Sequence, residues 1–259
     1  LKGDNMLNLK KEEIESLPKF KRGLYWGPNN TLYKIIRTNE KDNRDDFYLY
    51  VNSLKNIKGL VLPIDLIKDE HIYGYQLPYI PDSKNIDELL EGKSSQLDTI
   101  AIMKSIFEAI REINNHLVLG DVRNTNILIH NNTALFIDWD FGKKTTSKKN
   151  LLVCYCIAIN KHIVPDSKLS DILKVLLSAL SIYYNIDMEK YFSNKDLLDL
   201  FKILKYIKAN PALLYYIEYL IEKAKCQDDK LDLQFSDIAD YIEPPSSKEI
   251  KRLARALPH

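Results

Sequence analysis

The hydrophobic period of this chain changes once, near residue 81, and that change limits the folds open to it. Before it, "FKRGLYWGPNNTLYKII" (20–36) sets two runs rich in aromatic and β-branched residues around a Gly-Pro-Asn-Asn cluster, the pattern of a β-hairpin. "LVLPIDLIKDEHIYGYQLPYI" predicts two more strands around the tip "KDEH", ending where Pro78 and Pro81 remove ladder donors. Between these pairs, Phe47, Tyr50 or Val51, and Leu54 recur at helical spacing. After the change, Leu97, Ile100, Met103, Phe107, Ile110 and Ile113 form one apolar helical stripe. Helices are predicted over 150–163, 168–184, 195–208, 211–225 and 235–242, with a last basic helix in "SKEIKRLARAL", and strands only within 127–138. No repeat or flexible linker interrupts the pattern, so residues 1–81 and 82–259 are expected to be two lobes meeting at a change of fold.

A chain of 259 residues, 45% hydrophobic and 28% charged, has material for a sizeable core. Lys+Arg 37 against Asp+Glu 36 leaves a net charge of +1. No overall field therefore draws nucleic acid or an anionic membrane, and any anionic ligand must be held by a local site. Cys154, Cys156 and Cys226 show no zinc-type spacing; the first two lie in the apolar run "LLVCYCIAI" and read as buried reduced thiols. The opening "LKGDNMLNLKKEEI" lacks a secretory layout, and the longest apolar stretch, 151–159, falls short of the roughly 18 residues that cross a bilayer. A cytoplasmic protein with no membrane span and no nucleic-acid partner is the expectation.

The chemistry concentrates in "LGDVRNTNILI" (119–129) and "DWDFG" (138–142). Asp121, Arg123 and Asn126 precede a strand, a turn ("HNNT"), a second strand ("ALFI") and then Asp138. Phosphoryl transfer needs this set: one carboxylate to orient a hydroxyl, and a neutral amide oxygen with a second carboxylate to hold magnesium on phosphate oxygens.

In these residues the chain resembles the protein-kinase superfamily, whose catalytic loop H-R-D-x-x-x-x-N followed by D-F-G is similar to "LGDVRNTN" followed by "DWDFG". The likeness covers roughly residues 20–185. It implies an α+β, two-lobed protein-kinase-like fold, with an antiparallel-sheet N-lobe and a mainly helical C-lobe. It implies ATP and Mg2+ (or Mn2+) as cofactors, with Lys34 of "TLYKIIR" on the nucleotide phosphates, Gly23 and Gly27 of "GLYWGPNN" as a sparse phosphate loop, and Leu77 and Tyr79 in the hinge segment "QLPYIPDSKNIDELL". It also implies Asp121 as the catalytic carboxylate, Arg123 on the transferring phosphate, and Asn126, Asp138 and Asp140 as metal ligands.

The sequence departs from the family pattern in several places. Leu119 and Gly120 replace the loop's His and Arg, which brings it closer to the His-Gly-Asp loop of aminoglycoside and choline kinases. Asp138 and Asp140 lie twelve and fourteen residues after Asn126, on either side of the usual spacing; the strand "ALFI" running directly into Asp138 favours it as principal ligand. No acidic partner for Lys34 is evident beyond Asp46 or Asp45, and "KKTTSKKN" leaves little room for an activation segment.

Plainer readings stand beside these. Asp121 and Asn126 suit turns, and Trp26 reads as packed on its sheet. His71 and His116 read as solvated or capping, and the paired tyrosines 183–184 and 215–216 as core. Thr145, Thr146 and Ser147 are sites where modification is chemically open. The expected activity is transfer of the ATP γ-phosphate to a hydroxyl, of protein Ser/Thr or alternatively of a small molecule. A third alternative is a pseudokinase that binds without turnover.

Overall fold

The computed structural model describes residues 6–21, 23–36, 44–92, 98–147, 156–191, 196–226 and 238–257. They divide into two compact units, Leu1–Asp82 and Ser83–His259, in a mixed α+β chain whose first part carries an antiparallel-rich sheet and whose later part is rich in helices. Among the described residues no helix is long and apolar enough to cross a membrane.

The N-terminal unit contains β1 (Met6–Leu7), α1 (Lys11–Glu15), β2 (Lys19–Lys21), β3 (Leu24–Gly27), β4 (Thr31–Ile35), α2 (Asp45–Ser53), β5 (Asp65–Lys68) and β6 (Ile72–Pro78). The sheet order is β1-β5-β6-β4-β3-β2, and only the β1–β5 pair is parallel. The β3–β4 turn holds Asn29 and Asn30 at φ 54° and 55°, a left-handed conformation that Asn tolerates and a hairpin requires. Strand alternation sends Tyr33 and Ile35 to the face where Ile14 of α1 packs, joined by Ile67, and so puts Leu32 and Lys34 on the other face. Ile14 is wholly buried, so α1, too short to persist in water, is held by this contact. The sequence pattern had not disclosed β1 or α1.

The C-terminal unit begins with β7 (Lys84–Asn85), α3 (Ile86–Glu91) and α4 (Thr99–Ile113). Next come β8 (Leu117–Val118), a 3-10 turn (Asn124–Asn126), the hairpin β9 (Ile127–His130) and β10 (Thr133–Phe136), and β11 (Lys143–Lys144). The unit continues with β12 (Ala158–Ile159), β13 (His162–Ile163), α5 (Lys168–Tyr184), α6 (Met188–Tyr191), α7 (Leu197–Tyr206), α8 (Pro211–Lys225) and α9 (Ser247–Ala256). Asp98 caps α4 through the Ala101 amide at 3.0 Å, and the buried Met103, Phe107, Ile110 and Ile113 turn its stripe inward against α5 and β10. Helix α5 is buried almost all round, the central position in a helical packing unit.

Several expectations need correction. Strands occur outside 127–138: β7 pairs with β9, β8 with β11 and β12 with β13. The helix expected over 150–163 gives way, at its described end, to the β12–β13 hairpin, whose turn residues Asn160 and Lys161 are left-handed at φ 51° and 68°. Their amides donate to the Asp196 carboxylate at 3.0 and 2.7 Å, so a distant acid satisfies groups that a helix would otherwise have paired. Cys154, Leu97, residues 37–43 and the first three residues of the helix expected over 235–242 lie outside the described residues. Cys156, expected as a buried thiol, is only half-buried, and Cys226 is exposed. Tyr183, Tyr184 and Tyr216 are core residues, but Tyr215 is exposed.

Candidate functional site

The loop carrying Asp121 starts where β8 ends. Gly120, at φ 75°, makes a reversal that a side chain would strain. The wholly buried Asp171, near the start of α5, accepts from the Leu119 and Gly120 amides at 2.6 and 3.0 Å. One turn further along α5, the buried Lys174 donates to the Gly120 carbonyl and to Asp166, both at 2.6 Å. Two consecutive peptide units just before Asp121 are thus gripped from one helix. Burial pushes the Asp171 carboxyl up to about 6, against the pull of Lys174 and the two amides. Neither Asp171 nor Lys174 was singled out from the sequence. The one available signal was an acid and a base one turn apart within a largely apolar helix.

Asp121 is itself buried. One carboxylate oxygen accepts from Arg123, from Nε at 3.0 Å and from Nη2 as an ion pair; the other accepts from the Asn126 amide nitrogen at 3.2 Å. That same nitrogen donates to the Asp121 carbonyl at 2.8 Å. With its nitrogen committed to Asp121, Asn126 presents its amide oxygen as the atom able to hold a cation.

The β9–β10 hairpin returns the chain to this loop. Its turn residues Asn131 and Asn132, at φ 49° and 60°, set the register that places Phe136 opposite Ile127. The Ile137 amide then donates to the Asn126 carbonyl at 3.0 Å, so Asp138 follows directly on a bond to the loop. Asp138 is left-handed at φ 62°, a conformation that Asp tolerates. Trp139 is wholly buried beneath the segment, Asp140 is buried, and the Gly142 amide closes a turn onto the Trp139 carbonyl at 2.8 Å. Strand β11 then pairs with β8, bringing the end of "DWDFG" back beside the start of the loop. Thr145 is tied to this strand pair, its amide to the His116 carbonyl at 3.0 Å and its hydroxyl to the Asn114 carbonyl at 2.9 Å.

Side-chain bonds thus tie Asp121, Arg123 and Asn126 together, and one main-chain bond, from Ile137 to Asn126, brings the Asp138 segment to the same loop. Among the described residues no three His, Cys, Asp or Glu side chains gather closely enough to hold a metal unaided. Asn126, Asp138 and Asp140 carry the kind of oxygen donors that magnesium takes, an ion that keeps waters and shares its ligands with phosphates.

A second group lies on the other side of the 3-10 turn. Glu189 of α6 accepts from the Asn124 amide at 2.7 Å, and burial, reinforced by Asp87 and Asp187, pushes its carboxyl up to about 7. Asn124 is wholly buried, and its side chain faces Asp87, whose carboxyl is pushed up by burial and drawn down by a hydrogen bond with Asn124. Glu189 also escaped the sequence reading.

The N-terminal candidates are placed differently. Lys34 pairs across β4–β6 with Tyr75 and stands 5.7 Å from that ring. Gly23 (φ 75°) immediately precedes β3 and Gly27 ends it, about 13 Å apart at strand rise, so they do not form one phosphate cradle. A Cβ on Gly27 would meet the Thr31 hydroxyl at 2.6 Å, which assigns this glycine to the hairpin turn. Leu77 is buried in β6, and the Tyr79 ring meets Trp26 and Phe20 at 4.9 and 5.8 Å, so Trp26 packs on the sheet. Asp45 accepts from the Ile72 amide at 3.1 Å and stands 3.5 Å from His71, so it fixes the β5–β6 tip.

No protein-family model matches the chain, and none of the curated proteins compared with it matches either.

Proposed function

We propose that this chain is an atypical ATP-dependent kinase of two-lobed, protein-kinase-like fold that transfers the γ-phosphate to a hydroxyl, with protein Ser/Thr as the acceptor. The observation that carries the reading is the Asn126 amide, which donates to both the carbonyl and the carboxylate of Asp121 while Ile137 binds the Asn126 carbonyl. One local network thus holds a carboxylate and an amide oxygen at fixed separation, with Asp138 next in line.

In this reading Asp121 orients the acceptor hydroxyl and takes its proton as the new P–O bond forms and the bond to the leaving diphosphate breaks. Arg123, paired to Asp121 and about one-third exposed, is placed to steady the phosphate in flight. Asn126, Asp138 and Asp140 would hold Mg2+, which neutralises phosphate charge when bound. Lys34 would pair the nearer phosphates. Since positioning and electrostatics supply most of the rate, the bonds from Asp171 and Lys174 to the loop are part of the machinery.

One observation favours a second reading, nucleotide binding without turnover: the separation of Gly23 from Gly27 leaves few amides for phosphates. Magnesium-dependent incorporation of the ATP γ-phosphate into the chain or an added Ser/Thr peptide tests the proposal. Incorporation supports it; ATP-dependent thermal stabilisation without incorporation leaves the binding-only reading.

A further inference from the structure

Within the C-terminal unit, the ends of α7 and α9 form an open cavity of about 410 Å³ lined by Tyr206, Ile207, Lys208, Arg252, Arg255 and Ala256. Three of the six lining residues are cations and none is an acid. Lys208, Arg252 and Arg255 are exposed and have no ion-pair partner among the described residues, whereas their neighbours Lys202 and Lys205 pair with Asp199 at 2.9 Å and Glu218 at 3.7 Å. Helix-end electrostatics favour a cation beyond each C-terminus. They do not account for Arg252, which lies a turn inside α9 and lines the same cavity.

The backbone at Lys208 gives a second observation. Eleven non-glycine described residues are left-handed; seven are Asn, two are Asp, and only Lys161 and Lys208 are neither. Lys208 (φ 58°) occupies the position after α7 where the Ala209 amide reaches back to the Leu204 carbonyl at 3.0 Å, a helix ending that Gly or Asn adopts with least strain. A lysine there lines the cavity at a conformational cost, and such strain gathers at ligand sites. Beside it the Tyr206 ring is 81% exposed, an aromatic face on the rim of a basic cavity, with Ile207 and Ala256 as apolar lining.

We propose that Lys208, Arg252 and Arg255 bind the phosphate of a nucleoside phosphate, with the Tyr206 ring as the stacking face for its base. Arg252 and Arg255, three residues apart on one helix face, present two guanidinium forks to one phosphate. Cations beside an exposed aromatic ring are the recurring means of holding a nucleotide without reading its sequence. The unit recognised occurs in a free nucleotide and in a single strand of nucleic acid. The site lies wholly in the C-terminal unit and does not depend on the kinase reading.

The test uses the full chain in EDTA at low salt, with fluorescein-labelled hexathymidylate followed by anisotropy and adenosine monophosphate or inorganic phosphate as competitors. The proposal expects binding that weakens at least tenfold in Arg252→Gln/Arg255→Gln and at least threefold in Tyr206→Ala. It also expects an unchanged affinity in Lys34→Ala and a native melting temperature in the double variant. A hexamer binding much more tightly than the mononucleotide assigns the site to a strand; equal affinities assign it to a free nucleotide. No binding, native affinity in the double variant, or inorganic phosphate or a phosphoserine peptide competing as well as the nucleotide would overturn it.

Discussion

The hairpin that carries Lys34 and the loop that carries Asp121 are positioned by different forces. On β3–β4 each candidate is fixed by the strand ladder: Lys34 lies opposite Leu24 and Tyr75, and its side is set by alternation from Tyr33. In the loop 119–126 the backbone makes little regular structure, and buried side chains from α5 and α6, fifty or more residues away, hold it instead. A ladder tolerates change at a side chain because the main chain does the holding. A loop held by buried charges does not.

The largest expected effect follows from that contrast. Asp171→Ala leaves Lys174 buried beside one fewer acid and the Leu119 and Gly120 amides without their acceptor, and should cost about 3–5 kcal/mol of stability. Chemical denaturation measures this, and phosphate transfer should fall with it. In the hairpin region the comparable disturbance is steric. A Cβ on Gly74 would stand 2.8 Å from the Lys34 carbonyl oxygen, so Gly74→Ala must displace β4 at about 1–3 kcal/mol. That variant should show weaker ATP-dependent thermal stabilisation with the Asp121 loop intact.

A smaller effect separates structural from electrostatic holding within the loop. Glu189 is raised from 4.5 to about 7 on folding, so the folded chain holds the extra proton through that window. Stability from this group therefore falls as pH rises from 4.5 to 7, and the full penalty remains above 7. Glu189→Gln keeps an acceptor for the Asn124 amide without the charge. After discounting for solvent screening, it should be about 1–2 kcal/mol more stable than the native chain at pH 8 and equal to it at pH 4.5. Melting curves at the two pH values decide this.

How much was legible in the sequence follows the same division. Period-2 runs around Gly-Pro-Asn-Asn and Asn131-Asn132, and the stripe of α4, are local signals, and those elements stand where the patterns put them. The union of Asp121 with Asn126 was legible as spacing, because five residues of loop can close only a short distance. Asp171, Lys174 and Glu189 were not, because "KLSDILKVLLS" reads as an ordinary capped helix until its partner is known. The β12–β13 hairpin was hidden for a similar reason: its apolar run suits helix or strand, and Asp196 decides between them from 35 residues away.

The most direct test of the central claim is ATP turnover with magnesium in the native chain, Asp121→Ala and Asp138→Ala, with ATP-dependent melting measured in parallel. Turnover in the native chain, a loss of roughly 10²–10⁴-fold in Asp121→Ala with stabilisation by ATP retained, and loss of magnesium dependence in Asp138→Ala are the predicted results. Turnover that survives Asp121→Ala at the native rate would contradict the account.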